Sequence, residues 1–261
     1  MISKNTIKLI KSLSRKKYRE KEGLFLVEGD KMVAEVLKSR HKVKKLIATP
    51  EFLLTLKTGT NYTIEITEAS WEEIKKASLL KNPQNSIALC KIPENENLPE
   101  NIGTGIILYL DGIQDPGNLG TIIRMCDWFG IDFIFCSPDT ADIYSPKVVQ
   151  ASMGSIFRTK LCHIPARLLF KKESFRNIPV FGAFLNGNNI YTENLPASAI
   201  LVVGNEGNGI RKEVEPFINK KITIPEFTKN TGNAESLNVA VATGIICAEF
   251  NRQLFYASCL K

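Results

Sequence analysis

Metal-ligand and disulfide signatures are missing from this chain. Its six cysteines (Cys90, Cys126, Cys136, Cys162, Cys247, Cys259) form no CxxC pair and no Cys/His ligand spacing. Most lie in apolar stretches, where a free thiol behaves as a small hydrophobe, so neither a metal nor a disulfide framework is expected. No apolar run approaches the ~18–20 residues that cross a bilayer. The longest candidate, Leu237 to Phe250, is interrupted by Asn238, Thr243 and Glu249. No secretory signal is recognisable, and with these cysteines a reducing cytoplasm, away from membranes, is the expected setting. Walker and GxGxxG phosphate loops are also absent, which argues against an ordinary nucleotide-binding sheet. Internal repeats and low-complexity tracts are lacking.

Acidic residues are missing from the first nineteen positions, which hold Lys4, Lys8, Lys11, Arg15, Lys16, Lys17 and Arg19. The chain has 34 Lys+Arg and 27 Asp+Glu, so removing these seven leaves 27 against 27, and the whole net charge of +7 resides there. A basic face beside a neutral body suits a polyanion such as RNA. A solvated helix face is the plainer reading. A mitochondrial presequence fits less well, because the helical pattern runs directly into the first strand.

What is present is α/β alternation, in 261 residues of which 44% are hydrophobic. That is enough for one large or two modest cores. After the basic helix, strands are expected at 24–28, 43–48, 62–66 and 87–92, with helices at 30–39, 50–56 and 69–77. Residues 93–104 (PENENLPENIGT) read as a linker. The expected division is therefore 1–95, a linker at 96–104, and 105–261. In the second part strands are expected at 106–111, 132–136, 179–184, 199–203 and 221–224. Helices are expected near 118–129, 145–153, 166–175, 210–218 and 236–251. Short apolar strands separated by helices imply a mostly parallel sheet covered on both faces.

Three polar turns follow buried elements. In the first, Asp115-Pro116-Gly117-Asn118 leads into a helix with Asn118 where an N-cap belongs, and Arg124 lies away from its apolar stripe. This is either a capped helix with a surface arginine or a guanidinium held beside strand ends, where open α/β sheets bind ligands. The second is Gly204-Asn205-Glu206-Gly207-Asn208-Gly209, whose glycines admit a ligand to the backbone. The third carries Ser236 and Asn238 ahead of a helix with small residues at Ala240, Ala242, Gly244 and Ala248, suited to close helix contact within the core or across a dimer.

Together, PGNLGTIIRMCDWFG, VVGNEGNGI and IP…ESLNVAVA resemble the three motifs of the SpoU (TrmH-like) branch of the SPOUT RNA methyltransferases. KVVQASMGSIFR (147–158) also resembles a family segment, and the likeness spans essentially all of 106–251. Residues 16–37 resemble the small ribosomal-protein-like substrate-binding domain that many members carry. The loop between Pro225 and Ser236 is longer than the compact family version.

The resemblance implies a C-terminal parallel-sheet domain closed into a deep trefoil knot, an exception to the usual absence of knots. It implies a homodimer, S-adenosylmethionine as cofactor, and methyl transfer to a ribose 2′-hydroxyl of structured RNA. Ribosomal RNA is favoured over transfer RNA because of the appended domain, and a non-catalytic RNA-binding or assembly factor is the alternative of another class. Asn118, Arg124, Glu206, Ser236 and Asn238 would be the catalytic set. Ala183, Gly204, Asn205, Gly207, Ile224, Pro225 and Leu237 would meet the cofactor, and the seven basic N-terminal residues the RNA. Making any arginine a base near pH 7 costs on the order of 8 kcal/mol. Arg124 is therefore expected to bind the adjacent phosphate and stabilise the developing alkoxide.

Overall fold

In the computed structural model, residues 1–56, 64–93, 105–227 and 235–259 are described. The chain runs α1 (Lys4–Ser12), α2 (Lys16–Glu22), β1 (Leu24–Glu28), α3 (Asp30–Leu37), β2 (Val43–Ala48), α4 (Pro50–Thr55), β3 (Glu65–Glu68), α5 (Trp71–Ala77) and β4 (Ser86–Lys91). It continues with β5 (Gly105–Asp111), α6 (Pro116–Trp128), β6 (Phe133–Cys136), α7 (Pro146–Ala151), β7 (Lys160–His163), α8 (Ala166–Phe170), β8 (Val180–Asn189), β9 (Ser198–Gly204), β10 (Lys220–Thr223) and α9 (Val239–Cys259). The expected linker at 96–104 lies outside the described residues, as do Tyr62 and Thr63 of the expected third strand.

Two compact units result. The first comprises Met1–Glu94 with Asp142–Arg158, the second Asn95–Ala141 with Thr159–Lys261. The division expected from the sequence thus needs one amendment: the segment carrying α7 packs with the first unit. Its chemistry explains this. Tyr144 lies against Phe25 with ring centroids 4.7 Å apart, Phe157 meets His41 edge-on, and Arg158 pairs with Glu35 at 2.7 Å. Asp142 receives the guanidinium of Arg19.

The first unit has a four-stranded sheet in the order β1-β4-β2-β3. All five residues of β1 are buried, as befits a strand covered on both faces. Ile10 and Leu13 from the N-terminal segment join Leu24, Leu26, Ile74, Ile87 and Leu89 in one core.

The second unit has six strands in the order β10-β8-β9-β5-β6-β7, every pairing parallel. Ile107, Tyr109, Phe135, Ile200 and Val202 pack with Leu169, Phe175 and Val214. Helices α6 and α9 pack against each other, burying Ile122, Cys126, Ile246 and Cys247, and Phe250 meets Phe181 edge-on at 5.3 Å. Burial raises the thiols of Cys90, Cys126, Cys136 and Cys247 well above their ordinary range, which leaves them as packing groups. From β5 the chain proceeds outward to β6, whereas from β9 it proceeds past β8 to β10. The adjacent ends of β5 and β9 are therefore where connections depart in opposite directions, the usual place for a ligand.

Several elements differ from expectation: β3 lies at Glu65–Glu68 and not at 62–66, and β8 runs on to Asn189, past the expected end at 184. The helix expected near 210–218 is instead a loop and a short 3-10 turn, Glu215–Phe217, because Arg211 is held by Asp111 and Pro216 lacks an N–H. Strand β7 was not anticipated, and α8 ends at Phe170 before a separate 3-10 turn. Among the described residues no helix is long and apolar enough to cross a membrane.

Candidate active site

All three polar turns belong to the second unit, at the carboxyl ends of its strands. The first begins where β5 ends, at Asp111, level in register with Gly204 at the end of β9. Asp115, not Asn118, caps α6: its Oδ1 accepts the Asn118 N–H at 2.8 Å, and Pro116 opens the helix. That arrangement leaves the amide side chain of Asn118 free for other partners.

The second turn is a tight hairpin. Asn205 and Gly209 exchange backbone hydrogen bonds of 3.0 and 2.9 Å, and Asn205 Oδ1 accepts the N–H groups of Gly207 and Asn208. Gly204 is demanded by this fold. A Cβ there would stand 2.2 Å from the backbone carbon of Gly209 and 2.3 Å from the nitrogen of Ile210.

The hairpin is stitched to the β5 end in several places. Asn205 Nδ2 donates to the Gly112 carbonyl at 2.7 Å, and Arg211 meets the wholly buried Asp111 through both its backbone N–H and its guanidinium. Asp111 raises the affinity of Arg211 for its proton, and Asp139 sits 3.3 Å from the same guanidinium.

The third turn caps α9 with Asn238, whose Oδ1 accepts the N–H groups of Ala240 and Val241. Its Nδ2 then donates to Asn118 Oδ1 at 3.0 Å, while Asn118 Nδ2 donates to Glu206 Oε1 at 2.9 Å. A continuous chain Asn238–Asn118–Glu206 therefore links residues up to 120 positions apart in the sequence. Asn118 is the hub, using donor and acceptor of one amide at once.

Other expected residues lie outside that chain. Arg124 is exposed two turns along α6, on a stripe with Thr121 and Trp128, and has no ion pair among the described residues. Ser236 is exposed with no hydrogen bond to a described residue, and Leu237 is half exposed. Ala183, Ile224 and Pro225 are partly buried, within β8 and just after β10, adjacent strands of the sheet. Residues 228–234 of the long loop lie outside the described residues. Sequence reasoning missed Asp111 and Arg211. The acidic residue ending a strand was the available signal, but its partner lies 100 positions away.

The lining suits a particular ligand chemistry. Residues 204–209 offer amides, backbone groups and one carboxylate but no cation. Such a set fits a cationic sulfonium joined to a nucleoside better than a polyphosphate.

In the first unit Lys4, Lys8, Lys11, Arg15, Lys16 and Lys17 are exposed. Arg19 corrects the expectation that all seven basic residues face RNA. It is 3% exposed, with its guanidinium on Asp142 and the Leu13 carbonyl, so it serves the packing of the unit. Lys11 Nζ donates to the Ser78 carbonyl.

Comparison with known proteins agrees with this geometry. Residues 105–248 match the SpoU rRNA Methylase family, and residues 4–88 match the MRM3-like substrate binding domain. The chain is 33% identical to the 23S rRNA guanosine 2′-O-methyltransferase RlmP of Bacillus subtilis, over 90% of this chain and 92% of that one. A solved TrmH-family protein from Porphyromonas gingivalis is 40% identical with a TM-score of 0.87, covering 97% of this chain and 99% of that one. An S-adenosylmethionine-bound rRNA methyltransferase from Sinorhizobium meliloti is 27% identical with a TM-score of 0.84, covering 97% of each chain.

Proposed function

The chain belongs to the SpoU rRNA Methylase family, and from that premise we propose that it methylates a ribose 2′-hydroxyl of large-subunit ribosomal RNA. The observation that carries this reading is the hydrogen-bonded chain Asn238–Asn118–Glu206, which gathers three separated turns where adjacent parallel strands end. S-adenosylmethionine supplies a methyl group on a positively charged sulfur. Gly204, Asn205 and Gly207, with Ala183, Ile224, Pro225 and Leu237, are the residues we assign to holding it.

Each polar group then has a task. Glu206 Oε2 has only the 3.4 Å approach of Asn205 Nδ2 among the described residues, which leaves it to accept from a ribose hydroxyl. Asn118 fixes that carboxylate, and Asn238 fixes Asn118. Arg124, unpaired by any described carboxylate, is suited to the neighbouring phosphate and to the negative charge developing on the 2′-oxygen. Ser236 is assigned to orienting the ribose. Because the displacement is in line, alignment of oxygen and methyl is the main contribution these residues make.

The trefoil knot and the homodimer belong to this proposal. In support of a second copy, Trp128 on α6 is 85% exposed and Val241 on α9 is 53% exposed, on two helices that already pack together. The first unit is assigned to RNA binding. The test is to incubate the protein with S-adenosylmethionine and ribosomal RNA, then map 2′-O-methyl groups by nucleotide. One new ribose methyl in the large-subunit RNA is expected. Methylation of a base, or of transfer RNA alone, would overturn the assignment.

A further inference from the structure

We propose that the phosphate-binding edge of the first unit is one end of its sheet, built from three chain stretches and reaching beyond the N-terminal basic run. This rests on the reading of the chain as an RNA methyltransferase. Helix α2 leads into β1 through Gly23, the α3–β2 turn leads into β2, and β4 ends at Lys91. Antiparallel register brings those three points together: Leu24 faces Lys91, and Val43 faces Cys90. Two backbone bonds tie them, Lys91 N–H to the Lys42 carbonyl at 2.8 Å and Ile92 N–H to the Gly23 carbonyl at 2.9 Å.

The side chains at this end are mostly cationic. Lys16, Lys17 and Lys21 come from α2, Lys38, Arg40 and Lys42 from the α3–β2 turn, and Lys91 from β4, all exposed. Among the described residues, the exposed Glu20 and Glu22 stand against these seven, and Glu20 already pairs with Lys16 at 3.8 Å. The opposite end of the same sheet is mixed in charge. There Asp30, Glu51, Glu68, Glu72 and Glu73 lie at or just past the ends of β1, β2 and β3 together with the exposed Lys31, Lys75, Lys76 and Lys81, and Lys11 reaches the Ser78 carbonyl beside the buried Glu28. The cationic excess therefore collects at the first end, which a linear count of charge conceals because residues 20–95 are nearly neutral as a whole.

The partner this chemistry fits is an RNA backbone. Lysines projecting from turns and a strand end are point charges that follow phosphates without reading bases. The basic end would hold the duplex or loop flanking the target, with a strong dependence on salt.

The test uses the full-length protein with Lys42→Glu, Lys91→Glu and Lys38→Glu combined, and a control with Lys31→Glu and Lys81→Glu. Affinity for a ribosomal RNA fragment is measured at several salt concentrations, with KM for RNA and for S-adenosylmethionine measured separately. The triple variant should bind on the order of tenfold or more weakly, with a salt slope shallower by about 2–3. Its KM for S-adenosylmethionine should stay unchanged, and the control should behave as wild type. Unchanged RNA affinity and slope in the triple variant would overturn the proposal. So would an equal loss in the control, which would show a general charge effect, and so would loss of an acidic protein partner with RNA binding intact. If wild type transfers no methyl group to RNA, the functional reading fails. If wild type methylates and the triple variant does so equally well at high salt and low RNA, only this surface fails.

Discussion

Replacing Gly204 by alanine tests the site most directly, because the perturbation is one methyl group with a known collision partner. The added carbon would lie 2.2 Å from the Gly209 carbonyl carbon, 2.3 Å from Ile210 nitrogen and 2.5 Å from Gly209 oxygen. Ordinary carbon contacts sit at about 3.5–4.0 Å, so the 205–209 hairpin must retreat by roughly 1.3 Å or more. Backbone cannot rotate aside as a side chain can. Glu206 rides on that hairpin, and a retreat of this size takes its 2.9 Å bond with Asn118 beyond hydrogen-bond range. Misplacement by about 1 Å costs on the order of 100-fold in rate, and overpacking about 1–3 kcal/mol in stability. Gly182→Ala is the comparison, since its clashes at 2.7 Å are with the side-chain ends of Ile218 and Phe184, which can move. The assay is the initial rate of methyl incorporation into RNA, with thermal unfolding to show that both variants are folded. The expectation is a loss of about 100-fold for Gly204→Ala and less than about 10-fold for Gly182→Ala. A folded Gly204→Ala enzyme working within threefold of wild type would refute the argument that hairpin position sets activity.

Arg124→Ala should lower methyl transfer by at least about 100-fold while calorimetry still detects S-adenosylmethionine binding, and normal turnover would remove Arg124 from the mechanism. Arg211→Ala leaves Asp111 buried without its cation and should cost about 2–4 kcal/mol in urea unfolding. That lies towards the lower side of the buried-pair range, because the guanidinium is itself 36% exposed. A loss below 1 kcal/mol would show that the hairpin is held by other contacts. His41 should make the first unit acid-sensitive. Burial, with the charge of Arg40 adding to it, lowers its imidazole from 6.5 to about 4. Neither ring nitrogen has a full hydrogen bond to a described residue, and the Ile156 backbone only weakens the effect. The folded state therefore binds fewer protons than the unfolded chain between those values. The stability contribution is complete above pH 6.5 and is lost as pH falls towards 4, by about 3 kcal/mol in all. Unfolding free energies of wild type and His41→Leu should diverge across that window, and parallel curves would contradict the assignment.

The parts of this molecule that were legible in the sequence are those governed by local chemistry. Strands such as 24–28 and 199–203 announced themselves because both their faces are buried, so they read as continuous apolar runs between polar turns. The polar turns were equally visible, since glycine, asparagine and proline punctuate a chain for stereochemical reasons. What the sequence concealed was pairing at a distance. Arg19 counted as free charge until Asp142, 123 positions away, was seen to receive it. Residues 210–218 have a helical composition, yet Asp111 captures Arg211 and holds the segment in a loop. Asn118 was expected to cap its own helix, but Asp115 takes that role and releases the amide to join Glu206 to Asn238. These displaced expectations share a cause: a polar side chain satisfied locally in isolation found a stronger partner once the sheet had formed. The same reasoning bears on mechanism. An amide able to donate to a carboxylate and accept from another amide fixes both in a single geometry, whereas an aspartate at 118 would set two carboxylates face to face. The requirement for asparagine at 118 therefore follows from the two neighbours that distant strands bring to it, and helix capping alone would have been served as well by serine or aspartate.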